Sequence, residues 1–314
     1  MALRIVFCGT PAFAARSLQR LMAEPDFEIA GVVTQPDRPR GRGQEIQTSP
    51  VKDAAVAAGI AVYQPEKIKS NEGYEYFRRV APDTVVIIAY GQIISQRLVA
   101  IPRLGWINLH ASLLPKYRGA APINWAIVNG ERRTGLTTMQ IDAGLDTGPM
   151  LLKYETEIGA DETAPQLTAR LAEAGAPLIV ETLRKLASGE VQPVPQDNSQ
   201  ATRAPILKKE DGQIDWSLTA HNIYNRIRGL QPWPGGFTTF RGKTCRIWGQ
   251  ALPPAAASGR PGAILPTKEA GLLVMCGGET VLQVEHVQLE GRNRVTDAQF
   301  LSGARILPGE RFGS

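Results

Sequence analysis

The 314-residue chain predicts an α/β fold: a Rossmann-like, doubly wound, mostly parallel sheet followed by a small C-terminal OB-like β-barrel. Three observations carry this expectation. Apolar runs and helically spaced stretches alternate from the N-terminus, which is the pattern of βαβ units. Residues 84–89, Thr-Val-Val-Ile-Ile-Ala, have almost no polar face, as a strand in a sheet covered on both sides requires. The final third breaks instead into short β-rich runs separated by turn residues, which suits a small barrel. A chain of this length can bury a sizeable core and is expected to divide into two domains.

Residues 4–9 form an apolar run ending in Gly9-Thr10, and Phe13, Leu18 and Leu21 then recur at helical spacing, giving strand, turn and helix. Residues 29–34 supply the next strand. NAD binding is excluded, because Gly9 is followed by Thr10, Pro11 and Ala12 in place of the Gly-x-Gly-x-x-Gly fingerprint. Doubly wound sheets bind ligands beyond the carboxyl ends of their strands, where Tyr90-Gly91 and the segment from Asn108 are expected to sit. Residues 162–186 place Leu167, Leu171, Leu178 and Leu183 at helical spacing despite Pro177, and close the first domain. Residues 190–205 are polar and proline-containing without periodicity, which is linker composition. The expected organisation is an α/β domain at 1–189, a linker at 190–208 and a β-rich domain at 209–314. In the latter, Ile214-Asp215-Trp216 precedes a helix over 220–228 and strands over 236–240, 244–248, 271–276 and 280–289. Trp216 and Trp233 are read as packing residues, and 232–236 as an architectural turn.

Net charge is +5, too small to announce a nucleic-acid partner by itself, but it is unevenly spread. Residues 1–204 carry 22 basic and 21 acidic side chains, whereas residues 205–314 carry 13 and 9. No stretch approaches the length of a bilayer-spanning helix and the start lacks a secretory pattern, so a cytoplasmic enzyme without a membrane partner is expected. Cys8, Cys245 and Cys276 have no metal or disulfide spacing and read as small buried apolar residues. With three histidines and isolated cysteines, no metal site is expected, and His221 and His286 read as structural or surface residues.

Chemistry concentrates at Asn108-Leu109-His110 and at Asp146 within Gly144-Leu-Asp-Thr-Gly148. On an extended segment the i, i+2 spacing points Asn108 and His110 to the same side. An amide can stabilise a developing oxyanion, an imidazole can do so or carry a proton, and a carboxylate can hold that imidazole charged and oriented. Acyl transfer through a tetrahedral intermediate fits, although the spacings alone also fit ordinary structural and turn roles.

The surrounding residues are more specific. Asn108-Leu-His-Ala-Ser-Leu-Leu-Pro-Lys-Tyr-Arg-Gly-Ala-Ala-Pro122 resembles the folate-dependent formyltransferases, as does the Asp146 segment. Phe7-Cys-Gly-Thr-Pro-Ala-Phe13, Thr34-Gln-Pro-Asp-Arg-Pro-Arg-Gly-Arg-Gly43 and Pro232-Trp-Pro-Gly-Gly-Phe237 resemble the branch that formylates methionyl-tRNA. The resemblance spans essentially the whole chain. Many relatives follow the arginine run with lysines, where this chain has Gln44-Glu45.

The resemblance implies 10-formyltetrahydrofolate as formyl donor, the α-amino group of methionine on initiator methionyl-tRNA as acceptor, and Asn108, His110 and Asp146 as the catalytic set. It implies folate contact along Ser112, Leu113, Leu114 and Pro115, with Tyr90, Gly91 and Asp142 at the pterin end. Arg118 stays open between a structural ion pair and substrate contact. Residues 35–50 read as an exposed mobile loop, and the resemblance sends Arg38, Arg40 and above all Arg42 to the tRNA acceptor stem. Lys208, Lys209, Arg241, Lys243 and Arg246 are expected to track the phosphate backbone, and the enzyme to act as a monomer. An amino-sugar-nucleotide formyltransferase, a formyltetrahydrofolate hydrolase and a non-catalytic RNA-binding protein remain the alternatives at this level.

Overall fold

The computed structural model describes residues 2–40, 45–253, 258–265 and 271–313. β1 (Leu3–Gly9), α1 (Ala12–Met22) and β2 (Phe27–Val33) form the opening βαβ unit, and Ala14, Ala15, Leu18 and Leu21 give α1 its buried face. A short hairpin follows, made of β3 (Arg38–Arg40) and β4 (Glu45–Gln47). α2 (Pro50–Ala57) opens with a proline, whose missing N–H costs a helix start nothing, behind Ser49, whose hydroxyl accepts from the Lys52 amide. β5 (Val62–Tyr63), α3 (Asn71–Val80) and β6 (Thr84–Ile88) come next, followed by α4 (Gln96–Val99), β7 (Trp106–His110) and β8 (Arg118–Gly119). α5 (Pro122–Val128), β9 (Arg133–Gln140), β10 (Met150–Glu157), the 25-residue α6 (Ala164–Ser188) and β11 (Arg203–Ala204) complete this part.

The main sheet has the order β10-β9-β7-β6-β1-β2-β5, parallel from β5 to β7 and antiparallel at β9 and β10. From β1 the chain steps outward to β2 and β5, then returns to β6 and β7 on the other side, so the topological switch lies between β1 and β6. Helices cover both faces. On one, the Trp106 indole donates to the Leu98 carbonyl at 2.9 Å and its ring lies 5.0 Å from that of Phe77. On the other, α6 approaches Leu109 at Gly175, where a Cβ would stand 2.6 Å from Leu109 Cδ2.

The chain forms two compact units: Met1–Pro122, Arg133–Glu157 and Thr168–Ala204 in one, and Ile123–Arg132, Ile158–Leu167 and Pro205–Ser314 in the other. The second holds α7 (Ala220–Gly229), β12 (Phe237–Phe240), β13 (Lys243–Ala251), β14 (Leu272–Met275), β15 (Val281–Leu289), β16 (Val295–Thr296) and α8 (Asp297–Ala304). Its strands pair antiparallel in the order β12-β13-β15-β14, with β16 added to β15, in the region where a small OB-like β-barrel was expected. Phe240, Phe300 and Phe312 pack together at its core beside Ile223, Ile227 and Trp216.

Three expectations need correction. Residues 38–40 pair antiparallel with residues 45–47 within what was expected to be a mobile loop, Arg38 opposite Gln47 and Arg40 opposite Glu45, while Arg42 and Gln44 lie outside the described residues. Trp216 is packed, but Trp233, also read as a packing residue, is 51% exposed. The polar stretch after α6 is also anchored: Val194 pairs with Met150 through two backbone bonds of 2.8 Å, and β11 runs parallel to β8. Such short bridges leave no periodicity to read.

Candidate active site

β7 ends at the carboxyl edge of the parallel strands, and its pleat sets Trp106, Asn108 and His110 on one face. His110 is buried, and its Nε2 lies 2.9 Å from the Tyr117 carbonyl. A carbonyl can only accept, so Nε2 carries the proton and Nδ1 is the nitrogen facing Asp146, 3.7 Å from Oδ2. That separation exceeds a hydrogen bond. The position of the carboxylate is set instead by the Gly119 N–H, which donates to Oδ2 at 2.9 Å. Asp146 arrives from the β9–β10 connection with φ of 52°, in the left-handed region. The half-buried Asn108 amide makes no side-chain hydrogen bond among the described residues, which leaves it uncommitted on the same strand face.

The segment after His110 is tied down from β9 and β10. Thr137, opposite His110 in the ladder, donates to the Ser112 carbonyl at 2.7 Å and accepts from the Leu114 N–H at 3.1 Å. Lys153 Nζ donates to the Leu114 carbonyl at 2.7 Å, and Ser112 Oγ donates to that of Lys116 at 2.6 Å. Ser112 and Leu114 are wholly buried, so Leu113 and Pro115 are the side chains of this run left to face a ligand. The Tyr90 ring is also buried, and burial pushes its phenol well above the ordinary range, with Cys8 and Tyr63 adding to the effect. Its carbonyl already accepts from Gln35 Nε2 at 2.9 Å, beside Gly91 with φ of 87°. Asp142 is likewise engaged, accepting from the Gly144 N–H at 3.0 Å and from Thr147 Oγ1 at 2.7 Å.

Arg118 makes no ion pair among the described residues. Its Nε and Nη2 donate to Gln196 Oε1 at 3.0 and 2.8 Å, and Nη2 also to Asn198 Oδ1 at 2.8 Å. Among the basic residues, Lys208, Lys209, Lys243 and Arg246 are exposed, and Arg38 pairs with Glu66 at 3.1 Å. The Arg40 side chain lies outside what is described. Arg241 is already answered: it forks onto Glu310 at 2.6 and 2.8 Å and holds that carboxyl down at about 2, with the Leu307 N–H helping. Arg294, not singled out from the sequence, lies 4.2 Å from the centre of the Trp248 ring. His221 is exposed, whereas His286 has a buried Nδ1 without a hydrogen-bond partner among the described residues. All three cysteines are buried, and burial pushes the Cys245 and Cys276 thiols up to about 12. Among the described residues no group of three or more His, Cys, Asp and Glu side chains is gathered as a metal site, and no helix is long and apolar enough to cross a membrane.

The Tyr117 carbonyl, the Gly119 N–H, Thr137, Lys153 and Gln196 were all missed from sequence. The first two are backbone groups, which carry no residue signal. The others act across 23 to 78 residues of chain, visible only once the sheet is built.

A neutral amide donor and a fixed imidazole beside a carboxylate, at the carboxyl edge of a doubly wound sheet, define a site for acyl-type group transfer. Residues 3–183 match the formyl transferase family and residues 206–305 the formyl transferase C-terminal domain, so the chain belongs to the formyl transferase family. It is 54% identical to the methionyl-tRNA formyltransferase of Solibacter usitatus, covering 99% of each chain. It is 49% identical to that of Geobacter sulfurreducens, covering 99% of this chain and 97% of the relative. Among solved structures, the sugar 3N-formyl transferase WlaRD superposes with a TM-score of 0.64 at 17% identity, over 93% of this chain and 100% of that one. HypX from Aquifex aeolicus, in complex with tetrahydrofolic acid, gives 0.62 at 18% identity over 96% of this chain and 47% of its own. At those identities the likeness is one of fold.

Proposed function

We propose that this chain transfers the formyl group of 10-formyltetrahydrofolate to the α-amino group of methionine on initiator methionyl-tRNA. The observation that carries the chemistry is the uncommitted Asn108 amide on the same strand face as a His110 held between the Tyr117 carbonyl and Asp146. The donor molecule supplies an electrophilic formyl carbon. The residues present fit it: Asn108 offers a neutral N–H₂ to the formyl oxygen as that oxygen gains charge, and loses no proton in doing so. The bond from the amine nitrogen to the formyl carbon forms, the bond from that carbon to the folate nitrogen breaks, and one proton passes from amine to folate nitrogen. His110 holds or relays that proton at Nδ1, the ring nitrogen that faces Asp146.

In this reading residues 1–189 perform the chemistry, and residues 209–314, together with Lys208 at the end of the linker, track the tRNA backbone through Lys208, Lys209, Lys243 and Arg246. Leu113, Pro115 and Gly91 border the folate. Arg38, Arg40 and Arg42 meet the acceptor stem, and the enzyme acts as a monomer. The near-full-length relatives at 54% and 49% identity support the acceptor.

Incubation with 10-formyltetrahydrofolate and methionyl-tRNA should yield formylmethionyl-tRNA. No product from substrates shown to be active with a control enzyme would end this reading. Arg42→Ala should lose turnover with tRNA; unchanged turnover would favour a smaller acceptor.

A further inference from the structure

The segment after α6, featureless in sequence, crosses both sides of the candidate active site. Thr202 accepts the Tyr117 N–H on its hydroxyl and the Arg118 N–H on its carbonyl, each at 2.9 Å. Val194 pairs with Met150. Between them lies Gln196, whose side-chain amide is fully used. Its Nε2 donates to the Asp146 carbonyl at 2.9 Å and to the Gly148 carbonyl at 2.7 Å, while its Oε1 accepts both contacts from Arg118. The two ends of this amide therefore grip the two segments that hold His110: residues 117–119, which give the Tyr117 carbonyl and the Gly119 N–H, and residues 146–148, which give the Asp146 carboxylate.

We infer that Gln196 is a positioning residue, which acts through Asp146 and Arg118 to keep the carboxylate and the Tyr117 carbonyl on opposite nitrogens of His110. The Asp146 backbone needs such a hold. A non-glycine residue at φ of 52° is strained and persists only where its surroundings over-determine it. The Gln196 N–H₂ fixes that peptide directly and the next but one besides. Asp146 already lies 3.7 Å from Nδ1, so relaxation of the loop weakens an interaction that has no hydrogen bond of its own to keep it. This inference rests on the reading of His110 and Asp146 as catalytic.

The test compares Gln196→Met, of similar length but without hydrogen bonds, with Gln196→Glu, which keeps an acceptor for Arg118 but turns an oxygen toward two carbonyls. Asn198→Ala serves as control, since it removes only the other acceptor of Arg118. Formyl transfer to methionyl-tRNA and thermal melting are measured for the full chain. Both Gln196 variants should lose kcat by about 10- to 100-fold, the scale of a misplacement on the order of 1 Å at a reacting centre. KM for either substrate should stay within about threefold, because substrate binding is untouched. Asn198→Ala should turn over like wild type. A kcat within about twofold of wild type in Gln196→Met or Gln196→Glu, a loss confined to KM, or an equal loss in Asn198→Ala overturns the positioning role. His110→Ala in the same assay separates the two layers. Its inactivity alongside a fully active Gln196→Met overturns this inference alone, whereas an active His110→Ala removes the catalytic reading and the inference with it.

Discussion

Asn108 shows how a residue's identity and its freedom combine. Its place on β7, two residues before His110, was readable from spacing alone. That its amide is left without a partner among the described residues is a tertiary fact, and it is what suits Asn108 to meet an oxygen that gains charge during reaction. Asn108→Ala should lower kcat by about 100- to 1000-fold, the loss typical of a deleted oxyanion donor, with little change in KM. Asn108→Asp, which exchanges a donor for an acceptor, should be no better. Steady-state kinetics with methionyl-tRNA decide it, and near wild-type turnover in Asn108→Ala would remove the oxyanion role. His110 was legible as a type and a position, but the partner that orients it was not. Asp146 was expected to do that; the hydrogen bond belongs to the Tyr117 carbonyl, and no side-chain alphabet records a backbone group.

At the scale of elements, the strands and helices that bury an apolar face were readable: β1, α1, β6, α6, α7 and the strands of the second unit lie close to where periodicity put them. The elements missed share a physical character. β8 and β11 are two residues each, and the β3–β4 hairpin is held by three opposed pairs, so none is long enough to show a period. β9 hides a constraint of another kind at Gly135. A Cβ there would lie 1.9 Å from the Tyr154 carbonyl oxygen on β10 and 2.7 Å from Leu113 Cδ2. Gly135→Ala should destabilise the protein by about 3 kcal/mol, since the nearest obstacle is backbone that cannot swing aside. It should also lower turnover through Leu113. Urea unfolding monitored by circular dichroism measures the first effect, and an unchanged midpoint would show that β10 yields without cost.

For the whole molecule, two responses to solution conditions follow from charge. Glu310 is held at about 2 against an ordinary 4.5, chiefly by Arg241. A depressed carboxyl stabilises the fold fully above 4.5, and that contribution fades as pH falls toward 2, because the unfolded chain takes up the proton first. Melting temperatures of wild type and Glu310→Gln should therefore differ most above the ordinary carboxylate range and converge in acid. A difference that grows in acid would contradict the ion pair's role. Salt acts on RNA binding instead. The dissociation constant for tRNA should rise log-linearly with salt, with a slope of about 0.9 for each phosphate neutralised, and Arg246→Ala should lower that slope by about 1. A salt-independent affinity would count against contact through exposed cations.

The sequence by itself determined the doubly wound start, the β-rich C-terminal module and the three residues on which the proposed chemistry centres. Each of these follows from local apolar spacing or from side-chain type, which the chain carries in order. Only the tertiary structure decided how those residues are held. It brought a carbonyl from residue 117 to His110, an amide N–H from residue 119 to Asp146, and Gln196, read as linker, across both. The reason is physical: a hydrogen bond between segments depends on where the folded sheet delivers two backbones, and that register exists in no single stretch of sequence.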